Sequence, residues 1–152
     1  MERRMTEEQV TKAIIRWLEA AGWEILSFDY PQSGTGRVLH PAFSTSKTEG
    51  SIIPDIIAHK DSTLVFFENK SRYTYSDFEK VERLRHTDAY DQDIALLAEN
   101  RHFGRTFYGI GFQYGQHLTE KSRKSWPMAD FVLTVGDDFS ITPQYDPHHI
   151  FG

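Results

Sequence analysis

The sequence contains no cysteine at any of its 152 positions. Disulfides, thiolate zinc sites and cysteine nucleophiles are therefore excluded, and a cytoplasmic protein is the default expectation. Long apolar runs are also missing, because none approaches the roughly 20 residues that a membrane-spanning helix needs. The N-terminal segment MERRMTEEQV lacks the apolar stretch of a signal peptide. We therefore expect no membrane partner.

An excess of positive charge is the third feature that the sequence lacks. It has 17 lysines and arginines against 22 aspartates and glutamates, which gives a formal net charge of −5. Nucleic-acid binding would therefore need a local basic patch, or metal ions that offset an acidic site. Hydrophobic residues make up 39% of the chain, enough to build a core. The length predicts a single domain over residues 1–152.

The hydrophobic pattern predicts a chain of mixed helices and strands. The first expected helix is 7–21, which begins with a capping box at Thr6 and Gln9. Residues 76–99 are expected to form one helix or two, beginning with a capping box at Ser76 and Glu79. A third helical segment is expected over 118–126. The expected strands are 23–28, 52–57, 64–67, 106–114, 131–135 and 139–142. The two glycines within 106–114 indicate a bulge. Residues 31–50, rich in Ser, Thr, Gly and Pro, predict a long loop that either contacts substrate or is an ordinary surface loop.

The stretch SIIPDIIAHKDSTLVFFENK, residues 51–70, carries the candidate chemistry. Its two apolar runs, joined by a polar turn at 59–62, predict a β-hairpin. Asp55 interrupts the first run, and Glu68 and Lys70 end the second. Charges in a buried sheet must be paired or bind a metal. We expect Asp55 and Glu68 to face each other, with Lys70 on the same side of its strand as Glu68.

Two neighbouring carboxylates raise each other's pKa and favour a bound cation. Oxygen ligands suit Mg²⁺ or Mn²⁺, and the backbone carbonyl of Asn69 is a further candidate ligand. A metal-bound water of lowered pKa beside a lysine fits the hydrolysis of a phosphodiester. The dipeptide and the ExK triplet are each common by chance. Their placement on two adjacent strands between capped helices makes the prediction specific.

Pro54-Asp55 followed by Glu68-Asn69-Lys70 resembles the motif of the PD-(D/E)XK nuclease superfamily, and the order of predicted elements resembles its core over residues 6–114. The resemblance implies an α/β fold with a restriction-endonuclease-like αβββαβ core, a mixed central sheet flanked by helices, and here an extra C-terminal helix and strand. It also implies that Asp55 and Glu68 bind one or two Mg²⁺ and that Lys70 assists the attacking water.

The first helix, EEQVTKAIIRWLEAAGW, is similar to those of the VRR-NUC and Holliday-junction-resolvase-like branches of that superfamily. This similarity implies that Glu7 completes the metal site, whereas stabilisation of the helix dipole is the ordinary role of a first-turn glutamate. The chain departs from these branches further on. Phe78 and Glu79 stand where VRR-NUC chains often carry a glutamine, and no QxxxY pattern follows.

The predicted function is that of a Mg²⁺-dependent DNA endonuclease of the restriction, repair or mobile-element type. Phosphate contacts are expected from basic residues, although such a run is usually a solvated helix face. These residues are Arg72, Lys80, Arg83 and Arg85. The alternatives are a catalytically silent nucleic-acid-binding module of the same fold and a metal-dependent phosphoesterase on small substrates. Cutting both strands with one small site would require a homodimer or two visits.

Overall fold

The structure is a computed structural model that describes residues 4–30, 33–34, 53–98 and 101–152. Within these residues, seven strands form one mixed sheet in the order β2-β1-β3-β4-β5-β6-β7. The strands are β1 (Glu24–Tyr30), β2 (Ser33–Gly34), β3 (Ile56–Lys60), β4 (Thr63–Lys70), β5 (Arg105–Gln113), β6 (Phe131–Val135) and β7 (Ile141–Tyr145). The loop predicted over residues 31–50 lies outside the described residues, apart from the two of β2.

Strand pairing is antiparallel on the two sides of the sheet and parallel in its centre. Strands β1, β3 and β4 pair antiparallel, β4 pairs parallel with β5, and β5 pairs parallel with β6. Strand β7 closes this side as an antiparallel partner of β6. Parallel pairs require crossover connections. Helices supply both crossovers, so the predicted mixed α/β class is confirmed.

The helices cover both faces of the sheet. They are α1 (Glu7–Ala20), α2 (Tyr75–Arg85), α3 (Asp91–Ala98), α4 (Gln116–Ser122) and a 3₁₀ helix (Arg123–Met128). Along β4, Val65 and Phe67 share one apolar cluster with α1, whereas Leu64 and Phe66 share another with α2 and α3. Because both faces are buried, the central strands read as nearly continuous apolar runs. None of the helices in the described residues is long and apolar enough to cross a membrane.

One of the two predicted capping boxes is present. Thr6 Oγ1 accepts a hydrogen bond from the Gln9 amide at 3.1 Å, and the Thr6 amide donates to Gln9 Oε1 at 2.9 Å. The box predicted at Ser76 and Glu79 is wrong, because α2 begins at Tyr75 and its N-cap, Thr74, makes no side-chain cap bond. The stretch to residue 99 forms two helices, the second of the two predicted possibilities.

The predicted hairpin is present, but its strands lie closer to the turn than expected. The turn consists of Asp61 and Ser62, both at positive φ (47° and 70°), between Lys60 and Thr63. His59 and Lys60 were expected in the turn and instead belong to β3. Lys60 pairs with Thr63 in the ladder, and its ammonium donates to the Ala21 carbonyl at 2.6 Å. Asp55 lies just before β3 and not within it, because β3 begins at Ile56.

The glycines of β5 do not mark a bulge, which corrects the prediction. Both strands beside β5 pair with it in unbroken parallel register. A side chain at Gly109 would collide with the Phe131 ring, and one at Gly111 would collide with Ile14 and Asn69. These glycines therefore allow close packing of side chains across the sheet.

The C-terminal elements differ from the prediction in detail. The helix expected over 118–126 is divided into α4 and a 3₁₀ helix, and Pro127 lies inside the latter instead of ending it. Strand β6 matches the prediction residue for residue, whereas β7 begins two residues later than expected.

Candidate active site

The central candidate residues lie where the β3–β4 hairpin opens. Asp55 directly precedes β3, and Glu68 and Lys70 close β4. Ile57, two residues after Asp55, packs in the same apolar cluster as Phe66, two residues before Glu68. Since side chains alternate along a strand, Asp55 and Glu68 point to the same face of the sheet, the one covered by α2 and α3.

Asp55 is a partly buried carboxylate that is held in place by its neighbouring strand. Its amide donates to the Phe67 carbonyl at 2.9 Å, and its Oδ2 accepts the Asn69 amide at 2.7 Å. Burial, followed by the charges of Glu68 and Glu7, raises the pKa of Asp55 to about 7, against the lowering effect of the Asn69 amide. A carboxylate in this situation is stabilised by any cation that reaches it.

Glu68 forms an ion pair with a residue predicted for a different role. Lys80, on α2, donates from Nζ to Glu68 Oε2 at 3.1 Å. The Glu68 side chain is only 14% exposed, so this pair is partly shielded from solvent. Lys80 was predicted to contact phosphate. The structure places it inside the carboxylate cluster, where it neutralises Glu68.

Glu7 reaches this cluster from α1, whereas its neighbour Glu8 does not. Lys70 Nζ lies 3.6 Å from Glu7 Oε1, and both side chains are over a third exposed. Glu8 pairs instead with Lys12, one turn along the helix, at 3.6 Å. The first turn of α1 thus presents one carboxylate to the strand end and the other to solvent. Whether Glu7 binds a metal stays a prediction.

Lys70 is surrounded by acidic groups. Burial on its own would lower the pKa of Lys70, but the carboxylates of Asp77, Glu7, Glu68 and Asp55 more than offset it and raise the pKa above its ordinary value. Lys70 is therefore an ammonium at neutral pH in this arrangement. It can donate hydrogen bonds to a water or to a phosphate oxygen, and it cannot serve as a base until another cation reduces this field.

Asp77 belongs to the same cluster and was missed by the sequence interpretation. It lies in the first turn of α2, is 7% exposed, and its Oδ2 has no hydrogen-bond partner among the described residues. Burial raises the pKa of Asp77 to about 6, while Lys70 lowers it. The capping box predicted from Ser76 and Glu79 gave Asp77, which lies between them, no role. An acidic residue early in the helix that follows the ExK strand was the available clue.

Asn69 points to the opposite face from its two charged neighbours. Its Nδ2 donates to Thr11 Oγ1 on α1 at 3.2 Å, and its Oδ1, like Asp77 Oδ2, has no partner among the described residues. The bond to Thr11 links β4 to α1. The predicted role of the Asn69 backbone carbonyl as a metal ligand stays a prediction.

Two of the residues predicted to contact phosphate, Lys80 and Arg85, are engaged in ion pairs. Arg85 packs away from the carboxylate cluster, with Nε 3.0 Å from Asp130 Oδ1 and Nη1 donating to the Pro127 carbonyl at 2.8 Å. Arg83 is exposed on α2, and Arg72 is exposed just after β4. Of these, Arg72 lies nearest the carboxylates along the chain. A phosphate contact from Arg85 would require it to leave its ion pair.

The cluster has the donor chemistry for a hard divalent cation but is not assembled around one. In the described part of the chain, no three aspartate, glutamate or histidine side chains are arranged together to hold a metal ion as they stand. Carboxylate and carbonyl oxygens are the ligands that Mg²⁺ and Mn²⁺ prefer. A bound cation would compete with Lys80 for the charge of Glu68 and would offset the cost of burying the Asp55 carboxylate. Mg²⁺ or Mn²⁺ as cofactor stays a prediction.

Comparison of the chain with known protein families, with curated proteins and with solved structures finds no match. The inference of function therefore depends on the geometry of the site.

Proposed function

We propose that this chain is a metal-dependent nuclease of the PD-(D/E)XK type that hydrolyses phosphodiester bonds in DNA. The observation that carries the proposal is the pair of carboxylates, Asp55 and Glu68, on one face of the sheet beside Lys70. A partly buried carboxylate whose pKa is raised to about 7 is typical of a functional site and unfavourable in a purely structural one.

The order of elements supports the same assignment. Helix α1 precedes three strands that pair antiparallel, β1, β3 and β4, and a helical crossover then leads to the parallel strand β5. This order is similar to the αβββαβ order that a restriction-endonuclease-like core would have, with β2 as a two-residue addition and two helices, α2 and α3, before β5. Helix α4 and strands β6 and β7 extend it beyond that core.

The residues of the site fit the chemistry of such a reaction. Asp55 and Glu68, with the Asn69 carbonyl and Glu7, would hold Mg²⁺ or Mn²⁺, which when bound lowers the pKa of a ligated water and stabilises phosphate charge. Lys70 would donate hydrogen bonds to the attacking water or to a phosphate oxygen. Asp77 keeps a negative charge near Lys70 and so helps to hold its ammonium at the site.

A cleavage assay tests the proposal. Plasmid and labelled oligonucleotides of DNA and of RNA are incubated with the protein in Mg²⁺, in Mn²⁺ and in chelator. Asp55→Asn keeps an oxygen that can accept the Asn69 amide but removes the charge, and we expect it to slow cleavage by roughly 10²-fold or more. Glu8→Gln is the matched control and should cut at the parent rate. Cleavage that persists unchanged in chelator would contradict metal dependence.

The ratio of nicked to linear plasmid tests the predicted homodimer at the same time. One small site cuts one strand per encounter, whereas a dimer brings two sites to the duplex. Direct linearisation that depends on protein concentration is the expected behaviour of a dimer.

One observation favours a second candidate, a nucleic-acid-binding module without catalysis. Lys80 pairs with Glu68 and Lys70 lies near Glu7, so two of the four carboxylates have cationic partners without a metal. Thermal melts separate the two candidates, because a metal that binds the folded state stabilises it by about 2.7 kcal/mol at 100 times its Kd. A protein that binds DNA, gains no stability from Mg²⁺ or Mn²⁺ and cuts nothing is the binding module.

A further inference from the structure

A second feature lies at the same edge of the sheet as the carboxylates. It is a cleft of about 140 Å³ lined by Arg4, Ser71, Arg72, Gln113, Tyr114 and Gly115. Ser71 directly follows Lys70, the last residue of β4, and Gln113 is the last residue of β5. The cleft therefore begins within one residue of the proposed catalytic lysine. We refer to it as the arginine cleft.

The cleft carries two cations that are not engaged elsewhere in the described structure. Arg4 and Arg72 are exposed, and neither forms a hydrogen bond or an ion pair with any described residue. Two other arginines, Arg85 and Arg101, are engaged in ion pairs, with Asp130 at 3.0 Å and with Glu24 at 2.7 Å. A protein with a net charge of −5 therefore presents two available guanidinium groups beside its acidic site.

The walls of the cleft are anchored. The Met5 amide, next to Arg4, donates to Gln113 Oε1 at 2.7 Å in a buried hydrogen bond. Gln113 Nε2 lies 3.4 Å from Asp137 Oδ1. The Tyr114 amide donates to the Val135 carbonyl at 2.8 Å. The backbones that carry Arg4 and Tyr114 are thus held in position, which reduces the ordering that a ligand must impose.

The size and chemistry of the cleft indicate its ligand. Its volume is below the roughly 300–1,000 Å³ of pockets for drug-sized ligands, so it suits one small group and not a whole cofactor. Guanidinium groups match the geometry of phosphate oxygens, and Ser71 adds a hydroxyl donor. Tyr114 also lines the cleft and is 41% exposed, so its aromatic side chain is accessible. Cations beside an accessible aromatic ring are typical of single-strand binding, where bases stack.

We propose that the arginine cleft binds a backbone phosphate of single-stranded nucleic acid, with the adjacent base stacked on Tyr114. The strand then continues past Ser71 to Lys70 and the carboxylates. The substrate class is therefore DNA with a single-stranded segment next to the cleaved bond. This choice of substrate rests on the proposed nuclease function, whereas binding by the cleft can be measured without it.

The experiment measures the binding of a labelled single-stranded oligonucleotide, and of its duplex, by fluorescence anisotropy in chelator. The double variant Arg4→Ala/Arg72→Ala is compared with Arg16→Ala, which removes an exposed arginine on α1 that has no partner among the described residues. For single strands, each lost phosphate contact should reduce the slope of log affinity against log salt by about 0.7. Arg16→Ala should leave the slope at the parent value. A double variant that matches Arg16→Ala in affinity and slope would overturn the proposal.

The tyrosine provides a second, independent variant. Tyr114→Ala should weaken single-strand binding roughly 5- to 150-fold, since that is the range for one stacked base, whereas Tyr114→Phe retains the ring and the affinity. Duplex binding should change little in either variant. If Tyr114→Ala weakens binding of the single strand and of the duplex equally, Tyr114 does not stack on a base of the single strand. If the double arginine variant melts below the parent, Arg72→Gln alone replaces it, because its exposed side chain supports no described contact.

The outcomes separate this proposal from the proposed function. If the parent protein binds single strands through the cleft but cuts no DNA in Mg²⁺ or Mn²⁺, the cleft proposal is supported and the nuclease proposal is contradicted. A parent that cuts DNA while the cleft variants bind single strands normally removes the cleft proposal and leaves the nuclease standing.

Discussion

Two buried aspartates of this protein, Asp77 and Asp130, are each 7% exposed but lie in opposite surroundings. Asp130 Oδ1 lies 3.0 Å from Arg85 Nε and 3.6 Å from His148 Nε2, and its Oδ2 accepts the Tyr108 amide at 2.9 Å. Asp77 Oδ2 has no hydrogen-bond partner among the described residues, and burial raises its pKa.

The difference separates a buried carboxylate that has partners for both oxygens from one that has a buried oxygen without a partner among the described residues. A buried carboxylate with partners for both oxygens links elements together, here the end of α2 with the region between β5 and β6. A buried carboxylate without such partners reduces stability unless a ligand compensates. We therefore interpret the region around Asp130 as structural and the region around Asp77, Asp55 and Glu68 as the place where the proposed cation and substrate would bind.

The largest expected effect is on catalysis at Lys70. Lys70→Ala should reduce cleavage by about 10²–10⁴-fold, the usual contribution of a positioned proton-transfer or water-orienting group. Folding should be spared, because the Lys70 side chain is 36% exposed and its contact with Glu7 is weak. A cleavage time course with thermal melts in Mg²⁺ and in chelator measures both. A variant that cuts at the parent rate would remove Lys70 from the mechanism.

The next effect is on stability and tests the two aspartates directly. Asp130→Asn should lower the free energy of unfolding by up to roughly 3–5 kcal/mol, since Arg85 loses its charged partner. Asp77→Asn should instead raise it by about 1 kcal/mol in chelator at neutral pH, after allowance for solvent screening. Urea denaturation of both variants measures the pair. If Asp130→Asn and Asp77→Asn destabilise the protein equally, the two aspartates do not differ in their contribution to stability.

A pH dependence follows from the two raised pKa values, about 7 for Asp55 and about 6 for Asp77. A carboxyl whose pKa is higher in the folded state than its ordinary value of 3.8 binds its proton more tightly when folded. The protein in chelator should therefore lose stability as the pH rises from about 4 through 7, by at most about 4 kcal/mol from Asp55. Denaturation curves across this range measure it, and Asp55→Asn should flatten the dependence. A parent protein whose pH dependence matches that of Asp55→Asn would show that burial does not destabilise the Asp55 carboxylate.

The smallest expected effect distinguishes the two glutamates of the first turn of α1. If Glu7 is a metal ligand, Glu7→Ala should weaken Mg²⁺ or Mn²⁺ affinity by about tenfold or more, whereas Glu8→Ala leaves it unchanged. Metal titration monitored by calorimetry gives both affinities. Small and equal effects would restrict Glu7 to stabilising the helix dipole.

The sequence was sufficient to predict structural elements that depend on interactions between residues close together in the chain. The capping box of Thr6 and Gln9 depends on side chains three residues apart, and it is present. The apolar run of β6 also required no tertiary information. The capping box predicted from the Ser76–Glu79 pattern is not formed although the pattern has the same local form, because α2 begins one residue before Ser76. The helix instead leaves Asp77 buried near Lys70.

The sequence alone was enough to select the candidates Asp55, Glu68 and Lys70. Charged residues within or at the end of apolar runs must be paired or bind a metal if the sheet buries them. The alternation of side chains, which is a local property of strands, also determines that Asp55 and Glu68 share a face. Only the tertiary structure decided which cations reach them. Lys80 comes to Glu68, Arg85 turns away to Asp130, and Arg4 joins Arg72 across an edge formed by two strands. These partners are distant in sequence, so their distances depend on how helices pack on the sheet, which no local pattern specifies.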